Sequence, residues 1–210
     1  VFKKYSSTCV LEWQNTTSTD QYTHSVATGP NQTYFVAGYA SGWRPTGSND
    51  SRLNVRKVDA RGVTIWEKSF NSGHTGTGDR IRSDSYDVVA MNDGGCITCG
   101  RISNPGTESG PALVMRLDLN GDTLWTRKFL NAQTAYKIEP IQDGNFLVYM
   151  DRGGTDARGN LVKINANGET LWTQYGYDYW MQMTGIASDG GIIFSGSYDW
   201  SGFFIKASPD

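Results

Sequence analysis

The chain has 210 residues, a formal net charge of −2 and an aromatic content of 12%. A chain of this length can bury the core of one domain, which we predict to span residues 1–210. The slightly acidic balance argues against nucleic-acid binding, because phosphate contacts need an excess of Lys and Arg. No apolar run approaches the roughly 18 residues of a membrane-spanning helix, so we expect no membrane span.

The first predicted element is a strand over residues 9–14, which contains the first of four regularly spaced tryptophans. In the three later copies the Trp follows a Gly by four residues, and a basic residue between apolar ones precedes that Gly. The copies recur about every 50 residues, a period typical of propellers and other repeat architectures. The four residues are Trp13, Trp66, Trp125 and Trp172.

A second motif places an Asp-Gly turn between two strand-like runs in each of the last three repeats. It occurs at residues 93–94, 143–144 and 189–190. Asp-Gly between apolar runs indicates a tight hairpin, because such a turn needs a positive φ angle. The first repeat has Pro-Asn-Gln-Thr at residues 30–33 instead, and we therefore predict a longer or irregular turn there.

Each repeat is predicted to form four strands. In the second repeat they cover residues 87–91, 96–101, 112–118 and 123–129, where β-branched and aromatic residues dominate. Four strands per repeat joined by turns are typical of propeller blades. The predicted blades cover about residues 20–70 (blade 1), 84–130 (blade 2), 134–175 (blade 3) and 178–208 together with 9–14 (blade 4).

The last repeat has three strands and lacks a fourth that ends in the motif tryptophan. We predict that the N-terminal strand supplies it, because closing a ring removes sheet edges that would pair with other chains. The predicted fold class is therefore all-β, a four-bladed β-propeller with four antiparallel strands per blade. The alternative is that the chain is an excerpt of a larger propeller.

The repeated pattern resembles that of the Asp-Gly-Gly repeat propellers of secreted and surface proteins, which are akin to the quinoprotein-like superfamily. It reads apolar-Lys-apolar-Asp-x-x-Gly-x-x-apolar-Trp, then Asp-Gly-Gly and an apolar run, and it covers essentially the whole chain. The resemblance implies the fold and a secreted or cell-surface location. It does not imply one activity, because such propellers host many functions. Glycosylation sequons at Asn15, Asn31 and Asn49 agree with secretion.

Strand direction divides the connections between two faces of the predicted propeller. The Asp-Gly and Asn-Gly turns share one face, and the longer connections share the other, where function usually resides. Two of these long loops and one crossing between blades carry aromatic rings beside charged groups. These rings suit the C–H faces of sugars or protein hot spots, and the alternative is that they are buried caps. The predicted ligand-binding residues are Trp43, Arg44, Tyr177, Asp178, Trp180, Asp199 and Trp200.

Three of the crossings carry an Asp-x-aromatic triplet, beginning at Asp20, Asp84 and Asp178. Their carboxylates could surround the channel mouth, where converging oxygen atoms hold a hard cation such as calcium. The alternative, which we favour, is that each Asp accepts hydrogen bonds from its own turn. We therefore predict no metal site and no cofactor, with calcium as the exception to test.

Evidence for catalysis is thin, because the two histidines, His24 and His74, belong to no catalytic motif. We therefore expect no catalytic residue and no enzyme activity. The function that we predict is a non-catalytic extracellular binding module, lectin-like, whose partner is a glycan or glycoprotein. A structural or adhesive surface protein that binds proteins or itself as a homo-oligomer is the alternative, and a polysaccharide-acting enzyme is the third hypothesis.

Overall fold

The computed structural model describes residues 2–16, 21–43, 49–70, 82–103, 110–152, 159–177, 180–198 and 201–207. These residues form seventeen β-strands and one short 3-10 turn, and no α-helix occurs among them. The predicted all-β class is confirmed. No helix that could cross a membrane occurs in this part of the chain.

Three complete sheets, blades 1 to 3, each contain four antiparallel strands in chain order. Blade 1 comprises β3 (Gln21–Thr28), β4 (Tyr34–Trp43), β5 (Asn49–Val58) and β6 (Thr64–Phe70). Blade 2 comprises β7 (Asp84–Ala90), β8 (Cys96–Arg101), β9 (Ala112–Leu117) and β10 (Thr123–Phe129). Blade 3 comprises β11 (Thr134–Pro140), β12 (Phe146–Asp151), β13 (Gly159–Ile164) and β14 (Thr170–Tyr177).

Two smaller sheets complete the described structure. The three-stranded sheet contains β15 (Trp180–Ile186), β16 (Ile192–Tyr198) and β17 (Ser201–Ala207) in that order. The two-stranded sheet is a hairpin of β1 (Phe2–Tyr5) and β2 (Leu11–Asn15). The irregular turn predicted at residues 30–33 is also present, as a 3-10 turn over Pro30–Gln32.

The core lies between neighbouring sheets, and the middle strands of each complete blade are buried on both faces. In β9, Leu113 packs in the cluster shared with blade 1, and the next residue, Val114, packs in the cluster shared with blade 3. Cys96 and Cys99 divide between the same two clusters and are fully buried. This arrangement explains why these strands are apolar throughout rather than alternating.

Three of the four motif tryptophans connect their own sheet to the next one along the chain. The indole nitrogen of Trp66 donates to Leu119 O at 2.9 Å, and that of Trp125 donates to Ala166 O at 3.2 Å. Each acceptor lies in the turn between the third and fourth strands of the following blade. The repeated Trp and the repeated Gly of that turn therefore form one contact between blades, which explains their fixed spacing.

The N-terminal strand does not join the last sheet as the sequence predicted, and closure into a four-bladed ring is not confirmed. β2 pairs with β1, and the indole nitrogen of Trp13 donates to Ala60 O of blade 1 at 2.8 Å. The β1–β2 hairpin therefore contacts blade 1 in the way that β5–β6 contacts blade 2.

The turn of this hairpin also reproduces the other turns between third and fourth strands. Ser6 N donates to Val10 O and Cys9 N donates to Ser6 O, as Asp59 N and Gly62 N do in blade 1. Cys9, with φ 60°, occupies the place of Gly62, with φ 80°. β1 is thus equivalent to a third strand, and it occupies the edge of β2 that β17 would need.

Candidate functional site

Three of the predicted ligand-binding residues lie at the ends of strands on the long-loop face, which is the face opposite the Asp-Gly turns. Trp43 ends β4, Tyr177 ends β14 and Trp180 begins β15. Their side chains are outside the described residues, as are Arg44, Asp178, Asp199 and Trp200. The site that these seven residues were predicted to form therefore stays a prediction.

The described part of the long-loop face is shaped by a bulge in every innermost strand. In each of β3, β7, β11 and β15 the pairing with the next strand skips one residue. Such a bulge re-aims a side chain, and bulges are frequent beside functional sites. The extra residues are His24, Tyr86, Tyr136 and Thr184.

Three of these bulged residues belong to a continuous series of aromatic rings that we call the aromatic belt. Tyr22 stacks on Tyr39 with ring centroids 4.6 Å apart, and His24 follows at 5.7 Å from Tyr39. The His24 and Tyr86 centroids are 5.1 Å apart, as are those of Tyr86 and Tyr136. The belt thus crosses blades 1, 2 and 3 near the long-loop face, and it remains partly exposed, with Tyr22 at 58%.

Charged side chains lie beside the belt at equivalent positions of blades 2 and 3. Arg101 ends β8 and binds Asp84 Oδ2 through Nη2 at 2.6 Å and Nε at 3.0 Å. Its guanidinium carbon lies 6.0 Å from the centre of the Tyr86 ring. Asp151 ends β12 and accepts a hydrogen bond from the Tyr136 hydroxyl at 3.1 Å. Donors, acceptors and flat rings therefore converge at one place.

Burial raises the pKa of Asp151 and of Tyr136 in this cluster. It raises the pKa of the Asp151 carboxyl above its ordinary value of 3.8, although the Tyr136 hydroxyl and Arg101 favour the ionised form. Burial also raises the pKa of Tyr136 to about 12, and the Asp151 charge adds to this effect. Asp151 Oδ1 is buried and has no hydrogen-bond partner among the described residues. Because of its raised pKa, the Tyr136 hydroxyl is neutral at physiological pH.

A buried carboxylate under the belt holds three innermost strands together. Asp87 accepts hydrogen bonds from the Ser25 hydroxyl of blade 1 and from the backbone N–H of Ile138 in blade 3. Lys137 forms an ion pair with the same carboxylate at 3.1 Å. Because Asp87 joins three blades, it fixes the relative positions of the strands that carry the belt.

Of the three Asp residues considered for a calcium site, Asp20 and Asp178 lie outside the described residues, so the structure shows the surroundings of Asp84 alone. Once the bulges are aligned, the position of Asp84 is occupied by Tyr22 in blade 1, Thr134 in blade 3 and Gln182 in β15. Asp84 itself pairs with Arg101 rather than with its own turn. The described residues contain no group of three or more side chains that could hold a metal ion.

The sequence predicted a site on the long-loop face, where the belt also lies, but it did not predict most of the belt. The triplet pattern contained Tyr22 and Tyr86, yet it aligned them as equivalent residues, whereas the bulged residue of blade 1 is His24. Tyr39 lies inside β4 and resembled an ordinary strand residue. A further sequence signal for the belt was the presence of Tyr or His near the start of three innermost strands, β3, β7 and β11.

Comparison with known proteins supports the fold and carries no further information. No protein-family model and no curated protein matches the chain. A protein of unknown function from Bacteroides caccae aligns with a TM-score of 0.55 and 13% identity, covering 94% of this chain and 61% of that one. This chain thus spans less than two thirds of that protein, and the likeness shows a shared fold.

Two other solved structures align at lower similarity. The Synechocystis apocarotenoid oxygenase gives a TM-score of 0.46 with 10% identity, covering 89% of this chain and 50% of that one. A eukaryotic initiation factor gives 0.45 with 9% identity, covering 75% of this chain and 33% of that one.

Proposed function

We propose that this chain is a non-catalytic, lectin-like module that binds glycans on its long-loop face, at the cell surface or after secretion. The observation that carries the proposal is the aromatic belt, whose rings remain partly exposed beside Arg101 and Asp151. The predicted ligand-binding residues Trp43 and Trp180 belong to strands that end on the same face. The proposal does not depend on whether four blades close into a ring.

The chemistry of the belt matches the two sides of a sugar ring. A sugar presents a C–H face that packs on a flat aromatic ring, and hydroxyl groups at its edge that need donors and acceptors. Ligand sites generally combine aromatic walls with a few fixed polar groups. Here Arg101 donates, Asp151 accepts, and the tyrosine hydroxyls can do both. An extended series of rings also favours a linear oligosaccharide over a single sugar.

A glycan array followed by calorimetry of any oligosaccharide that binds tests the proposal. Trp43→Ala and Trp200→Ala should each weaken binding by about tenfold or more, because aromatic side chains that a ligand covers contribute most of the binding energy. Leu124→Ala is the matched control, since Leu124 is an exposed apolar residue on the outer strand β10. An array on which the unmodified protein binds no glycan would contradict the proposal.

The adhesive alternative has one observation in its favour. Phe204 is 83% exposed and Ile205 43% exposed on β17, and no further strand pairs with β17 among the described residues. Exposed apolar side chains on an open strand favour pairing with a second copy. Light scattering that finds a dimer for the unmodified protein and a monomer for Phe204→Glu, together with a silent glycan array, would favour this function.

A further inference from the structure

The guanidinium group of Arg101 has one edge that binds Asp84 and one edge that no described residue binds. Its Nε and Nη2 atoms both bind Asp84 Oδ2, whereas Nη1 makes no hydrogen bond to any residue that the structure describes. The Arg101 side chain is 21% exposed and that of Asp84 only 6%. The buried carboxylate therefore holds the guanidinium in one orientation and leaves a donor available at the long-loop face.

Two tyrosine rings form the walls around this donor. Arg101 lies over the Tyr86 ring, and the Tyr136 ring meets Tyr86 edge-on with an interplanar angle of 62°. The Tyr136 hydroxyl is held by Asp151. A planar guanidinium over an aromatic face loses little freedom when it forms another hydrogen bond, so these groups are arranged for a ligand before one arrives.

The charges of the cluster determine which ligands are compatible. Arg101 is paired with Asp84, Asp151 adds a further carboxyl at the next blade, and the charge of Arg82 also acts on Tyr86. The cluster thus has no excess positive charge that would compensate a carboxylate or sulfate group. An uncharged ligand needs no compensating charge, and its hydroxyl oxygens can still accept from Nη1.

We propose that Arg101, Tyr86 and Tyr136 form a subsite for an uncharged polyol, such as one ring of a neutral glycan. Arg101 Nη1 donates to a hydroxyl oxygen, and the tyrosine rings cover the adjacent C–H groups. This inference rests on the proposed glycan-binding function and adds the ligand class and the residues of one subsite. Because Asp84 and Asp151 balance its charge, Arg101 gives the subsite no preference for acidic glycans.

The test compares Arg101→Lys with Arg127→Lys. Arg101→Lys keeps a cation beside Asp84 but removes Nη1, the donor proposed to bind the ligand. Arg127 is the matched control, because it also lies over an aromatic ring, Trp125, at 5.7 Å, but on the outer strand β10. Calorimetry would use neutral linear hexasaccharides (cello-, manno- and laminarihexaose) and hexagalacturonate as the acidic probe.

We expect Arg101→Lys to weaken binding of the neutral hexasaccharide by about tenfold, the effect of losing a hydrogen bond from a charged donor. Arg127→Lys should leave it within about twofold, the range of a surface substitution. Unchanged affinity in Arg101→Lys, or tighter binding of hexagalacturonate than of any neutral probe, would overturn the subsite. If Trp43→Ala still abolished binding in that case, the proposed function would survive without it.

A second measurement separates the two proposals when no hexasaccharide binds. Sorbitol is an uncharged polyol, and its titration should move the NMR signals of Tyr86 and Tyr136 in the unmodified protein but not in Arg101→Lys. Movement together with a glycan array on which nothing binds would support the subsite and contradict the lectin function. Signals that do not move with sorbitol would overturn the subsite.

Discussion

The glycine of each turn between third and fourth strands satisfies two demands at once. Gly121 has a φ angle of +81°, and a Cβ atom there would lie 2.9 Å from the Trp66 ring of the preceding blade. Gly144, in an Asp-Gly turn, has a φ angle of +79° but no heavy atom within 4 Å of a Cβ. Both positions therefore need a positive φ angle, but only Gly121 is packed against another side chain.

We predict that Gly121→Ala destabilises the protein more than Gly144→Ala. Both substitutions place a side chain in the left-handed region, at a cost of about 1–2 kcal/mol. Only Gly121→Ala also displaces Trp66 and its hydrogen bond to Leu119 O, which adds about 1 kcal/mol. Urea unfolding of both variants measures the difference, and equal losses would show that the contact between blades contributes nothing.

At the scale of the element, an ion pair connects the third strand of a blade with its first turn. Lys163 Nζ lies 2.6 Å from Asp143 Oδ2, and the pairs Arg116–Asp93 and Lys206–Asp189 are equivalent. Blade 1 has no Asp in its 30–33 turn. There Lys57 Nζ donates instead to Gly94 O of blade 2 at 2.7 Å. The aligned basic residues and the turn Asp are therefore partners.

We predict that Asp143→Asn makes the free energy of unfolding depend less on pH between pH 5 and pH 2. The hydrogen bond from Lys163 lowers the pKa of Asp143 from 3.8 to about 2. Because the folded-state pKa is depressed, the stabilisation is complete above about pH 4 and is lost as the pH falls through about 2. Urea midpoints between pH 5 and pH 2 provide the measurement. Lys163→Gln should reduce the same pH dependence of the urea midpoint. An unchanged pH dependence in both variants would contradict a stabilising Lys163–Asp143 pair.

For the whole molecule, the sequence predicted what depends on local pattern. The strands over residues 96–101 and 123–129 match β8 and β10 residue for residue, because glycines with positive φ angles bound them closely. The aromatic belt could not be predicted, because a bulge changes the register only through pairing with another strand. Tyr86 and His24 became equivalent only after their partners in the next strand were known.

The β1 strand was missed for a related reason. Its turn has Ser6 where the other turns have Asp or Asn, and Cys9 where they have Gly, so neither turn residue indicated a hairpin. Without β1, the strand over residues 9–14 was free to be assigned to the last sheet. Among the described residues, five strands occupy the third position of a blade or an equivalent position: β1, β5, β9, β13 and β17. A closed ring of four blades would contain only four such strands.

We therefore predict that β2 can be cross-linked to β1 and not to β17. Lys3 and Gln14 are direct partners in the hairpin, so cysteines at both positions lie within the Cα separation that a disulfide accepts, about 4.4–6.8 Å. Ile205 and Gln14 would be partners if β17 paired with β2 in the register of β5 with β6. The background is Cys9→Gly, which removes the exposed thiol and suits the positive φ angle there. Mild oxidation and mass spectrometry should find the intramolecular disulfide in Lys3→Cys/Gln14→Cys alone. Its formation in Ile205→Cys/Gln14→Cys would instead support closure into four blades.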